Sequence, residues 1–105
     1  MVQRAYDLTL WLIRKVETFP RSFRFSLGDR IVARSLDVVE ALNAASWTGD
    51  KRAFLERAHR DINGLRILLR MAVDLKLLNS DSQEFAAGRV EEIGRMTAGW
   101  RKSLK

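Results

Sequence analysis

The stretch DKRAFLERAHRDINGLRILLRMAVDL, residues 50–75, decides the fold of this chain. Phe54, Ala58, Ile62, Leu65, Leu69, Ala72 and Leu75 recur in it at three- and four-residue spacing, so a helix of 3.6 residues per turn gathers them into one apolar stripe. Asp50 stands where an N-cap is wanted and Asn79 closes the pattern, which predicts a helix over about 50–78. Such a helix cannot bury its stripe alone. The rest of the chain has to supply the partners.

Three further amphipathic segments do so. Upstream, residues 26–47 carry Leu27, Ile31, Val38, Leu42 and Ala45 inward and stop near Trp47, before Thr48-Gly49. Residues 2–18 place Ala5, Leu8, Leu12 and Val16 on one face. The corner between these two is Phe19-Pro20-Arg21-Ser22-Phe23-Arg24-Phe25-Ser26-Leu27-Gly28-Asp29-Arg30-Ile31. Proline lacks an amide donor and disfavours helix at the residue before it, so Phe19-Pro20 ends the first segment. The rings of the corner are expected to pack under neighbouring helices, with guanidinium groups outward. Downstream, Ser80-Asp81-Ser82-Gln83 reads as a capping box for a helix over 81–101, with Phe85, Ala86, Val90, Ile93, Met96 and Trp100 as its core face and a frayed end over 101–105. With no strand-like alternation and only short connections, residues 1–105 read as one all-α domain, an up-and-down antiparallel four-helix bundle.

Composition narrows the function. Apolar residues never run long enough to span a bilayer, and no signal-peptide order opens the chain, so a soluble, cytoplasmic protein without membrane contact is expected. No cysteine is present, which excludes disulfides and thiolate chemistry. The net charge is +6, and fourteen of the nineteen cations are arginine. Arginine's planar fork pairs with phosphate and stacks on bases, so this bias suits nucleic acid.

Several faces carry more than a core requires. Trp11 falls among Arg4, Asp7, Arg14 and Lys15 on the charged side of the first helix, and Ile67, Met71 and Leu78 form a second apolar line on the third. Both point to contact between subunits of a ring-like homo-oligomer. Arg52, His59, Arg66 and Arg70 share another side of the third helix with Asn63 beside them, and only Glu56 and Asp74 flank this cationic ridge, a candidate phosphate strip. Arg89 falls in the middle of the fourth core face, where a buried cation needs a partner; Asp37 and Glu40 are both candidates. Ala87, Gly94 and Ala98 offer a small-residue face, and Gly88 and Gly99 lie on the same helix.

Chemistry of bond-making is not expected. Glu56-x-x-His59 has the spacing of half a di-iron site, but the chain has one histidine and no second such pair. A phosphate-cradling glycine loop, a nucleophile elbow and a histidine–nucleophile pair are all missing from the sequence. No catalytic residue, metal ligand or cofactor is assigned.

Four stretches resemble the accessory variability determinant family of diversity-generating retroelements, within the four-helix-bundle proteins that include those encoded in ribosomal RNA intervening sequences. They are Tyr6-Asp7-Leu8-Thr9-Leu10-Trp11-Leu12, the corner over 19–31, residues 65–75, and Ile93-Gly94-Arg95-Met96-Thr97-Ala98-Gly99-Trp100. The corner is the most specific, because FPRS-x-RF-x-LG-x-RI fixes residue types that helical periodicity leaves free. The resemblance implies a non-enzymatic, basic homopentamer that binds nucleic acid, template RNA or DNA, and associates with reverse transcriptase during mutagenic retrohoming. It makes Arg21, Arg24, Arg30, Arg66 and Arg70 candidate contacts to nucleic acid or polymerase, with Arg52 added from the ridge. The alternative is a structural bundle of the intervening-sequence type with another partner.

Overall fold

The computed structural model describes residues 2–104. Four long helices, α1 (Val2–Val16), α3 (Asp29–Trp47), α4 (Lys51–Asp74) and α5 (Ser80–Ser103), are joined by short connections, and the one-turn α2 (Arg21–Phe23) leads through a π-helical segment (Arg24–Gly28) into α3. No strand occurs among the described residues. α1 packs on α3, α3 on α4, α4 on α5 and α5 back on α1, which is a four-helix bundle. Its core is drawn from all four long helices: Leu12, Ile31, Leu42, Leu55, Ile62 and Ile93 are almost wholly sealed from water. Inside it, the hydroxyls of Thr9 and Ser35 hydrogen-bond each other across α1 and α3, and Thr9 Oγ1 also donates to the Ala5 carbonyl at 2.8 Å. Two buried hydroxyls thus satisfy each other where one alone would be costly.

The corner departs from the expected one. The amides of Thr18 and Phe19 donate to the Lys15 and Val16 carbonyls and close α1, and Pro20 turns the chain with an extended backbone. Helix then resumes at Arg21, earlier than the expected residue 26, because a proline just before the first turn loses no hydrogen bond there. The π-helical turn at Arg24–Gly28 resets the phase between this new start and α3. Phe19 is buried and Phe23 half-buried, as expected of anchors, but Phe25 remains 64% exposed.

The α4 stripe is the expected one from Ala58 to Ala72 and differs only at its ends, whereas the α5 stripe keeps Ala86, Val90 and Ile93 but is rotated toward Ser82 and Thr97. On α4, Leu55 rather than Phe54 starts the core and Leu75 is exposed; α4 ends at Asp74. The amides of Lys76 and Leu77 donate to the Val73 and Ala72 carbonyls, with Lys76 in the left-handed region at φ 61°, which makes a Schellman stop. Asn79 therefore does not close α4; its side chain caps α5, accepting from the Ser82 amide at 2.8 Å. On α5, Ser82, Ala86, Val90, Ile93 and Thr97 face inward, while Phe85 and Met96 lie at the margin and Trp100 is half-buried. Residues 101–103, expected to fray, are helical, and Lys105 lies outside the described residues.

Arg89 follows from this rotation. It is not a core cation: its side chain is half-exposed, it lies 3.6 Å from Glu92 on its own helix, and its guanidinium covers the Phe85 ring at 5.1 Å. Neither Asp37 nor Glu40 is its partner. Exposed ion pairs and cation–π contacts are each worth about 0.2–1 kcal/mol, so Arg89→Ala and Arg89→Met should both melt within about 1 kcal/mol of the parent. A large loss in Arg89→Ala alone would restore the buried assignment.

Candidate nucleic-acid and subunit interfaces

The candidate arginines separate into three places. At the corner, Arg21 and Arg30 stand exposed, whereas Arg24 folds back: its Nη2 donates to the Phe19 carbonyl at 3.4 Å and its guanidinium lies 5.8 Å from the Phe25 ring. Arg24 is thus half-buried instead of pointing outward. Farther along, Arg66 and Arg70 rim a groove of about 440 Å³ between α4 and α5, whose floor is Leu69, Val73, Leu78, Ala86 and Val90. Arg52 stands eighteen residues before Arg70, about 27 Å away at 1.5 Å per residue, and donates to the Leu104 carbonyl at 3.1 Å. Arg52 is thus drawn toward the end of α5, away from the groove that Arg66 and Arg70 rim.

Arg66 carries a partner that a reading of α4 alone misses. Its Nη1 donates to Asn63 Oδ1 at 2.6 Å, and its Nη2 reaches Glu91 Oε1 at 3.2 Å on α5. Gly94 makes room for it, since a Cβ there would meet the guanidinium at 2.5 Å. Gly94 thus serves packing within the protomer. Asn63 also contacts the His59 ring at 3.4 Å, which ties the ridge's only histidine into the same chain of polar groups.

Charge is poorly compensated elsewhere. Among the described residues, the ion pairs within 4 Å are Arg4–Glu92, Arg66–Glu91 and Arg89–Glu92, so two glutamates absorb three arginines. Arg21, Arg30 and Arg70 have no such pair among the described residues. One carboxylate does respond to its surroundings: partial burial, with Asp37 nearby, raises Asp61 above the ordinary carboxylate range, although Arg34, Arg57 and Arg60 pull the other way.

The apolar candidates also divide. Ile67 is 53% and Met71 49% exposed, whereas Leu78 is 8% exposed and belongs to the core, so it does not continue their exposed line. Leu78 lies beyond the end of α4, where the chain folds back under the bundle, and helical stepping does not apply to it. Trp11 is half-buried against Phe85, ring centroids 4.8 Å apart, which already gives it a partner within the protomer. The exposed line continues instead into residues that stepping along one helix does not gather. Met71 and Leu75 meet Phe23 and Leu27 around a cleft of about 400 Å³, and Phe25 stands exposed on the same corner segment.

A corner fixed by Phe19, Pro20 and Gly28, a bundle with uncompensated arginines, and an exposed apolar line beside that corner are the features that comparison with known proteins has to match. No curated protein matches the chain. A family model described as bAvd-like matches residues 1–104, nearly the full length and the corner with it. The chain therefore belongs to the bAvd-like family, that of the accessory variability determinants.

Proposed function

We propose that this chain is the non-catalytic accessory subunit of a diversity-generating retroelement, a homo-oligomer that holds reverse transcriptase together with template RNA or its cDNA. The observation that carries the reading is the set of exposed arginines without carboxylate partners, at the corner and along the α4–α5 groove. Arginines held only by solvent are free to exchange water and counterions for phosphate, and a closed ring repeats them around its axis. A pentamer is the symmetry that the family implies, with Ile67, Met71 and the apolar corner as the contact between subunits. Arg66 contributes less than Arg70, because Glu91 already engages it.

The test is RNA affinity across a salt series. Affinity should fall steeply with salt, and replacing Arg30 and Arg70 by glutamine should flatten the log–log slope by about 0.7–0.9 for each phosphate that is no longer neutralised. Helicity and assembly mass should stay unchanged, since neither side chain is in the core. A slope insensitive to salt and to both replacements would remove nucleic acid from this reading and leave those arginines to the polymerase.

A further inference from the structure

At the end of the bundle away from the corner, one side chain is exposed with no structural reason. Trp47 closes α3 and is 74% exposed, the most exposed large hydrophobic residue among those described. The chain ends around it are held in place by cations. Lys51 Nζ donates to the Ala45 carbonyl at 2.8 Å, just before Trp47, and lies 5.8 Å from the Trp100 ring on α5. Arg52 then fastens the start of α4 to the end of α5 through the Leu104 carbonyl. Arg101 and Lys102 follow Trp100 in the last turn of α5. Four cations thus gather at this end, against the single carboxylate of Asp50 in the segments 45–53 and 97–104, and Asp50 makes no ion pair within 4 Å among the described residues.

We infer that this end is a binding site for single-stranded nucleic acid, with one unpaired base stacked on Trp47 and the flanking phosphates on Lys51, Arg52, Arg101 and Lys102. An indole offers a flat face that every base can cover, and a duplex hides its base faces, so the platform selects single strands without reading sequence. The cations supply the charge complementarity that an apolar partner would not need. Trp100 differs from Trp47 in being half-buried beside Lys51, so Trp47 alone has a free face. This site rests on the proposed nucleic-acid role and adds to it a base contact, at the opposite end of α4 from Arg70.

The experiment compares binding of an unstructured oligouridylate of about 12 nucleotides, an abasic strand of the same length and a duplex, by the full chain and by Trp47→Ala and Trp47→Phe variants. Trp47→Ala should weaken oligouridylate binding about tenfold, leave the abasic strand, the duplex and the salt slope unchanged, and be rescued largely by Trp47→Phe. Equal losses on the uridylate and abasic strands, or no loss on either, would overturn the base contact while leaving the nucleic-acid role standing. Failure of the parent to bind any of the three would overturn that role and this site together. A fall in assembly mass in Trp47→Ala would assign the indole to a second copy of the chain instead, which also overturns the inference.

Discussion

If the proposed homo-oligomer closes through Ile67 and Met71, replacing both by glutamate is expected to leave 12.1 kDa protomers that keep their helicity. Both side chains are about half-exposed on α4, and Met71 lines a cleft with Leu75, Leu27 and Phe23, so the pair adds nothing essential to the bundle core. What they contribute is apolar area that water would otherwise cover, at roughly 25 cal/mol per Å². Two carboxylates placed in a subunit contact must each lose hydration at a cost of several kcal/mol. A penalty of about 4 kcal/mol at each subunit contact weakens it roughly a thousandfold, enough to open a ring at micromolar concentration. Light scattering with far-UV dichroism reads both halves of the expectation. Met71→Leu, which keeps the volume and the polarity, should leave the mass unchanged. An intact assembly in the double glutamate variant would move the subunit contact elsewhere, with the Trp11–Phe85 face as the next place to look.

How much of this is legible in the sequence differs from helix to helix. The α1 stripe Ala5, Leu8, Leu12 and Val16 is buried as expected, because its apolar and charged residues segregate cleanly. The α5 stripe keeps Ala86, Val90 and Ile93 as expected but takes Ser82 and Thr97 in place of Phe85 and Met96, because the bundle places its small side chains inward. Hydrophobic bulk marks the direction of a stripe only when the core is wide enough to take it. The misplacement of Arg89 follows directly from that rotation. The Arg66–Glu91 pair is invisible in the sequence for a different reason, since it joins helices whose register is set by the Schellman turn at Lys76 and the Asn79 cap, which periodicity does not encode. The exposed corner patch escapes a sequence reading because it is assembled from two segments, the π-helical turn and the end of α4, that no single helical projection brings together. Trp47 needs no projection; as the last residue before a glycine-containing turn it reads simply as a helix end.

Gly28→Ala is expected to destabilise the protein, against the ordinary effect of replacing a helical glycine. Alanine is favoured over glycine in a helix by about 1 kcal/mol, and Gly88 and Gly99, which face open space, should gain up to that amount when changed to alanine. At Gly28 the added methyl would sit 2.5 Å from Val16 Cγ1 and 3.3 Å from the Phe23 carbonyl oxygen, with the Phe19 ring at 3.6 Å. The carbonyl is backbone and cannot swing away. Val16 is buried in the last turn of α1, and a β-branched side chain in a helix keeps essentially one rotamer, so it cannot yield either. Overpacking of this kind costs about 1–3 kcal/mol, which outweighs the gain in propensity. The net loss, up to about 2 kcal/mol, should lower the melting temperature by up to roughly 10 °C, and Gly28→Val should lose more, because it adds further atoms beside the same three neighbours. The glycine of the FPRS-x-RF-x-LG corner thus has a packing role: it lets the π-helical turn lie directly on the end of α1, and that contact sets where Phe25, Arg21 and Arg30 stand. Thermal melts of Gly28→Ala, Gly88→Ala and Gly99→Ala side by side carry the test. A Gly28→Ala protein that melts with or above the other two would show that the corner has room to spare, and the close approach of α1 to the π-helical turn would lose its role in positioning the site.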